Sequence, residues 1–206
     1  MTKTLTPTWR AIGALIGALI LPTASWAESN FVTGATPSTQ ARLDFRVIIP
    51  RVLFLAVGSG STGTAIAANS TIDLVTFDYS GNAAAVGSGA AAGSITGNIV
   101  PVRVVGNNGQ ISLTAATTGA LSNGAGDTIA WSQITVVSSD AVNFPSPAIP
   151  LTGAGASANV GISSGTKVTN RTANWTYSYS NSAIVPAGIY GPTANSGRVT
   201  YTATMP

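Results

Sequence analysis

Apolar residues in this chain recur with a period of two. Leu43, Phe45, Val47 and Ile49 face one way while Arg42, Asp44 and Arg46 face the other, the pattern of a half-buried strand over residues 42–49. Pro50 interrupts, and residues 52–57 form a second, more continuously apolar strand. Val75, Phe77 and Tyr79 mark one face of a strand over 71–79. Gly106-Asn107-Asn108-Gly109 separates two β-rich runs, 99–105 and 110–115, and Asn-Gly at such a place predicts a hairpin, because tight hairpin turns need positive φ. Pro101 assigns the first of these runs to a sheet edge or a bulge. Further strands are expected over 129–137, 172–180 and 198–205, separated by Asn123-Gly124-Ala125-Gly126-Asp127, by Pro145, Pro147 and Pro150, and by Pro186-Ala187-Gly188. Residues 58–63 and the Gly/Ala/Ser-rich stretch 81–94 read as loops, the second long and mobile. About nine short strands with Gly/Asn/Pro turns predict an all-β fold, an antiparallel β-sandwich of Ig-like or Greek-key type. A transmembrane β-barrel needs strands of about ten residues with aromatic girdles. Here the strands are shorter and the aromatics cluster.

Ahead of this pattern lies a different segment. Lys3 and Arg10 precede an uncharged apolar run at 11–21; Pro22 breaks it, and Ser25-Trp26-Ala27 puts small residues at minus three and minus one before Glu28. This predicts a secretory signal peptide over 1–27. The apolar run is shorter than the roughly 20 residues of a spanning helix. No second run of spanning length follows, so no transmembrane segment is expected after cleavage. Residues 28–40 read as a flexible lead-in and 41–206 as a single domain.

The leader also carries charge. The chain has nine basic and six acidic residues; without Lys3 and Arg10 the balance is seven to six. The basic residues are scattered, so no nucleic-acid footprint is expected. There is no His and no Cys, and the acids are Glu28, Asp44, Asp73, Asp78, Asp127 and Asp140 alone. General acid–base catalysis, nucleophile activation and most transition-metal binding draw on the missing types or on clustered carboxylates. No enzyme, no catalytic residue, no metal site and no cofactor are expected.

Three motif-like stretches carry little chemistry. Residues 58–63 fit G-x-G-x-x-G, but the few residues that follow are too short for the crossover helix of a dinucleotide site. Gly161-Ile162-Ser163-Ser164-Gly165 fits G-x-S-x-G, yet no histidine exists to activate Ser163, and Lys167 is the remaining base. Asp73, Asp78 and Asp127 are oxygen donors suited to calcium, but no loop has the order of a calcium-binding motif. The candidate ligand platform is Trp175, Tyr177 and Tyr179, which share one strand face. Exposed, such a row would stack on sugar rings. Alternating with Asn174, Thr176 and Ser178, it also has the pattern of a core strand, and burial of Trp175 is the expectation. Trp131 carries the same two readings.

Trp175-Thr176-Tyr177-Ser178-Tyr179, then Val185-Pro186-Ala187-Gly188-Ile189-Tyr190, then Gly197-Arg198-Val199-Thr200-Tyr201-Thr202-Ala203 resemble the last strands of bacterial surface β-sandwich modules, the WxL surface domain and the spore-coat-U-like fimbrial subunits. Val47-Ile48-Ile49-Pro50 with Leu53-Phe54-Leu55 resembles their opening strands. The second W-x-L signature of the former is absent, as are the cysteines usual in the latter. The resemblance implies an exported, non-catalytic, surface or fibre-forming protein. The expectation is therefore a secreted, extracellular or cell-surface structural protein, fimbria-like, with the periplasm as another compartment. It would self-assemble as a homopolymer by strand addition or join other surface proteins, with residues 28–40 (Phe31, Thr33, Ala35) as donor strand. The alternative is a carbohydrate-binding adhesive module whose partner is a glycan.

Overall fold

The computed structural model describes residues 28–61, 65–191 and 196–206, so the expected leader lies outside the described residues. The described chain divides into two units at Ile48/Ile49. In the first, residues 28–48 form neither strand nor helix. The Glu28 carboxylate accepts from the Arg42 guanidinium at Nε and Nη2, both at 2.8 Å, which holds the Glu28 carboxyl below its ordinary range. The strand expected over 42–49 is absent, and Leu43, Phe45, Val47 and Ile49 are 76, 86, 81 and 76% exposed. Alternation encodes one apolar face, but a strand also needs a neighbour for its backbone N–H and C=O groups. No described ladder includes these residues.

In the second unit the strands are β1 (Leu53–Val57), β2 (Thr76–Asp78), β3 (Ser94–Thr96), β4 (Ile99–Gly106), β5 (Ile111–Thr117), β6 (Leu121–Ser122), β7 (Thr128–Ile129), β8 (Ile134–Ser138), β9 (Gly153–Ala154), β10 (Ala158–Val160), β11 (Thr169–Tyr179) and β12 (Thr200–Thr204). The all-β expectation holds, and all the strand pairs are antiparallel. There are more strands than expected because several are two- or three-residue pairings. One sheet runs β1-β4-β11-β8; a second runs β10-β5-β12, with β9 also on β5. Their inner faces meet in one core: Val100, Val102 and Val104 of β4 and Trp175 and Tyr177 of β11 pack with Ile111 and Leu113 of β5, Val160 of β10 and Phe144. β4 and β5 alternate buried and half-buried positions almost without a break.

Two expectations need correction. Residues 107–110 connect the sheets rather than closing a hairpin: β4 pairs with β1 and β11, and β5 with β12, β10 and β9. Both flanks of each strand are thus taken, and the chain must cross the core at the turn. Gly109 has φ +117 there, and its N–H donates to the Lys167 carbonyl. Pro101, in turn, sits in an interior strand. The β1–β4 ladder ends at Val57↔Val102, and the Pro101 carbonyl accepts from Gly58 N–H on that same side at 2.9 Å. A residue's N–H and C=O leave an antiparallel strand on one side. The donor that proline lacks therefore points where β1 has already run out.

Shorter elements replace two expected ones. The strand over 71–79 contracts to β2, paired only with β3, and a 3-10 turn at Trp131–Gln133 splits the run before β8. The stretch 81–94 is partly ordered by a 3-10 segment at Ser80–Ala85.

Candidate functional site

β11 enters the core because its alternation places Thr169, Trp175 and Tyr177 inward and Asn170, Thr172, Asn174 and Ser178 outward. The expected burial of Trp175 holds: it is 0% exposed, with the Phe144 ring at 5.8 Å edge-on and the Tyr201 ring at 5.0 Å. Tyr177 is buried as well, its hydroxyl 2.8 Å from that of Tyr201. Burial raises the pKa of Tyr177, and of Tyr201 more strongly. Tyr179 is half-buried, tilted against Phe77 at 6.2 Å and edge-on to Tyr79 at 6.0 Å. Trp175, Tyr177 and Tyr179 therefore do not form an exposed row: two rings fill the space between the sheets, and the third stands in a tilted cluster. Trp131 is buried too, its Nε1–H donating to the Gly119 carbonyl at 2.6 Å. The Trp175 Nε1–H and Thr169 Oγ1 are buried with no hydrogen-bond partner.

Three acids, Asp78, Asp127 and Asp140, serve turns, and Asp73 ties two loops. Asp73 accepts from Ser59 Oγ at 3.0 Å. Asp78 accepts from Ser80 N–H at 2.8 Å, and its hydrogen bonds to Ser80 lower its pKa. Asp127 accepts from Asn123 Nδ2 at 2.8 Å, and Asp140 from the backbone and side-chain amides of Asn143. Among the described residues no three His, Cys, Asp or Glu come together as metal ligands. Ser163 of the G-x-S-x-G stretch spends its hydroxyl on the backbone, donating to the Asn170 carbonyl and accepting from the Asn170 N–H. Of the G-x-G-x-x-G stretch, Ser59–Ser61 is a 3-10 turn and residues 62–63 lie outside the described residues. A shallow cavity is lined by Ala116, Thr117, Thr118, Arg198 and Thr200, and the Thr117 hydroxyl donates to the Pro150 carbonyl at 3.0 Å.

Sequence reasoning passed over two asparagines. Asn181 is 2% exposed, with φ +48. Its Oδ1 accepts from Gly87 N–H at 2.7 Å, and its Nδ2 donates to the carbonyls of Ala85 and Ala90 at 2.6 and 3.0 Å. It thus fastens the Gly/Ala stretch to the end of β11. Asn107 uses both ends of its amide on the chain just before β1: Oδ1 accepts from Val52 N–H and Nδ2 donates to the Pro50 carbonyl, each at 2.8 Å. Neither role leaves a mark in composition or periodicity; only the Asn-Gly turn hinted at Asn107.

What the second unit offers a partner is an open flank. β1 ends one sheet and β12 ends the other, and the two lie against each other. Leu55 and Val57 on β1, Tyr201 and Ala203 on β12, and Met205 just beyond β12 pack on the core yet are only partly buried. Val160 of β10, in the strand on the other side of β5, is fully buried. No protein-family model matches this chain, and neither a curated protein nor a solved structure matches it.

Proposed function

We propose that this protein is an exported bacterial cell-surface component, structural and fimbria-like, without catalytic activity, that assembles with copies of itself by strand addition. The observation that carries the reading is the open flank, where two neighbouring sheet edges leave core residues half-covered. Edge strands present unpaired N–H and C=O groups, and natural proteins usually blunt or cover them. Strand addition satisfies those groups with another chain. The side-chain chemistry is in keeping: the acids of the second unit hold turns and loops, and Trp175 and Tyr177 of β11 hold the core.

Electron microscopy and size-exclusion chromatography of the purified chain test this reading. Fibres or higher oligomers are expected. A monomer at all concentrations that binds glycans would support the adhesive module instead, with Tyr179, Tyr79 and Phe77 as the aromatic contacts. Export is tested separately by intact mass: the mature chain should begin at Glu28, and exported protein retaining residues 1–27 would contradict cleavage there.

A further inference from the structure

We infer that the outer edge of β8 is a second contact surface, on which two copies of this chain pair antiparallel about a two-fold axis at Val136. The contact is separate from the flank of β1 and β12, since β1 lies at the far end of the same sheet.

The backbone defines the edge. β8 has one neighbour, β11, and their ladder keeps one register from Ile134↔Tyr179 to Ser138↔Trp175. The Gln133 carbonyl accepts from Ser180 N–H at 2.7 Å, and Ser139 N–H donates to the Asn174 carbonyl at 2.9 Å. Backbone groups alternate sides along an antiparallel strand. Thr135 and Val137 therefore turn theirs to β11 as well, while Ile134, Val136 and Ser138 turn theirs outward. The Ile134 N–H is spent on the Trp131 carbonyl at the end of the 3-10 turn. Ser138 is tied to the chain that follows, its Oγ donating to the Phe144 carbonyl at 2.6 Å. Val136 stands at the middle of the edge with both N–H and C=O turned outward, and among the described residues no hydrogen bond takes either.

Charge points to a second copy as the occupant. Sheet edges are commonly guarded by charged residues, proline or a bulge. Residues 128–139 contain no Lys, Arg, Asp, Glu or Pro, and the β8–β11 ladder has no bulge. Two-fold pairing sets a segment against itself, so any charge in it would approach its like; this segment has none. The free groups then select the register. Centred on Val136, that residue exchanges both bonds with Val136 of the second copy, and the Ile134 carbonyl accepts from Ser138 N–H of the second copy. A register centred on Thr135 would need the Ile134 N–H, which is already used. The side chains agree. Ile134 and Val136 pack on the core but are only partly buried, and the two Val136 side chains meet on that face. On the outer face Thr135 comes beside Val137 of the second copy in the close, non-hydrogen-bonded pair. Val137 is 66% exposed, and β-branched side chains pack well on a pleated surface. The contact is isologous, so it closes at two copies rather than propagating.

The absence of cysteine makes the test direct. Full-length chains carrying Thr135→Cys are mixed with affinity-tagged chains carrying Val137→Cys and mildly oxidised; circular dichroism checks that both keep the parent spectrum. Both positions are exposed, and a non-hydrogen-bonded antiparallel pair brings its Cα atoms to about 4.5 Å, within disulfide reach. A tagged–untagged disulfide dimer is expected. Ser178→Cys in place of Thr135→Cys, one strand further in on the same face, should give about tenfold less, because that distance exceeds disulfide reach. In the parent chain the Val136 amide should exchange more slowly as protein concentration rises, since its N–H gains an acceptor. Equal linking through Ser178→Cys would mean chance collision and overturn the contact. Thr135→Cys linking to itself in preference to Val137→Cys would overturn the axis at Val136. No link in any combination, or Val136 exchange independent of concentration, would overturn the β8 surface itself.

Discussion

Trp175 is the residue on which the core turns, since its ring touches Phe144 in one direction and Tyr201 of the opposite sheet in another. Trp175→Ala should cost about 3–5 kcal/mol, the usual range for a large aromatic truncated in a core, measured by urea denaturation; a variant as stable as the parent would contradict the packing. The Tyr177–Tyr201 hydroxyl pair is a second case. Tyr177→Phe or Tyr201→Phe alone strands the partner hydroxyl, at about 1–3 kcal/mol, whereas removing both should cost less than the sum of the two. The same pair sets a pH limit. Both phenols have folded-state pKa values raised by burial above the ordinary 10.0. Below that value folded and unfolded chains hold the same protons and stability is unaffected. Above it the unfolded chain ionises while the folded one does not, so stability falls as pH rises. Thermal melts between neutral pH and strong alkali should be level up to about pH 10 and decline beyond it, with a shallower decline in the double Phe variant.

Among the elements, the loop over 81–94 shows how one residue outside a segment decides its behaviour. Its composition has no apolar periodicity, yet Ala85 is buried and Asn181 binds Ala85, Gly87 and Ala90 together. Asn181 adopts positive φ, which asparagine tolerates better than most residues. Asn181→Gly keeps the backbone conformation but removes the side-chain bonds. That variant should speed hydrogen exchange across residues 85–90 by tenfold or more while leaving β4 and β5 unchanged; protection equal to the parent would show that the loop holds itself. β4 shows the same dependence on context: Pro101 is admissible in an interior strand because β1 stops one residue short of it.

For the molecule as a whole, residues 42–49 add four exposed apolar side chains of one face to a described surface that also bares Phe31, Val142, Ile184 and Ile189. Burying a large apolar side chain is worth about 1.5–3 kcal/mol, and Leu43, Phe45, Val47 and Ile49 all stand open. The self-assembly proposed above, where apolar side chains such as these make the contact, should persist at about 1 M salt, where a charge-driven contact would be screened; light scattering across a salt series checks this. Dissolution by salt alone would show a charge-driven contact instead.

The sequence alone determined the class of fold and the poverty of reactive groups. Period-two alternation is a local property and survives any arrangement of the sheets; it marked β11 and β12 and the inward set of Trp175 and Tyr177, while a continuous apolar run marked β1. Absence of His and Cys needs no structure to be read. Tertiary structure alone decided which strands are neighbours. Residues 99–105 and 110–115 look like a hairpin because turn chemistry is local, but they part into two sheets because each has its ladder partners elsewhere in the chain. Whether an apolar face is core or contact surface is equally non-local. β11 and residues 42–49 carry a similar alternation, yet one is enclosed by side chains from both sheets and the other is exposed, because only β11 has described neighbours on both sides to complete its hydrogen bonds.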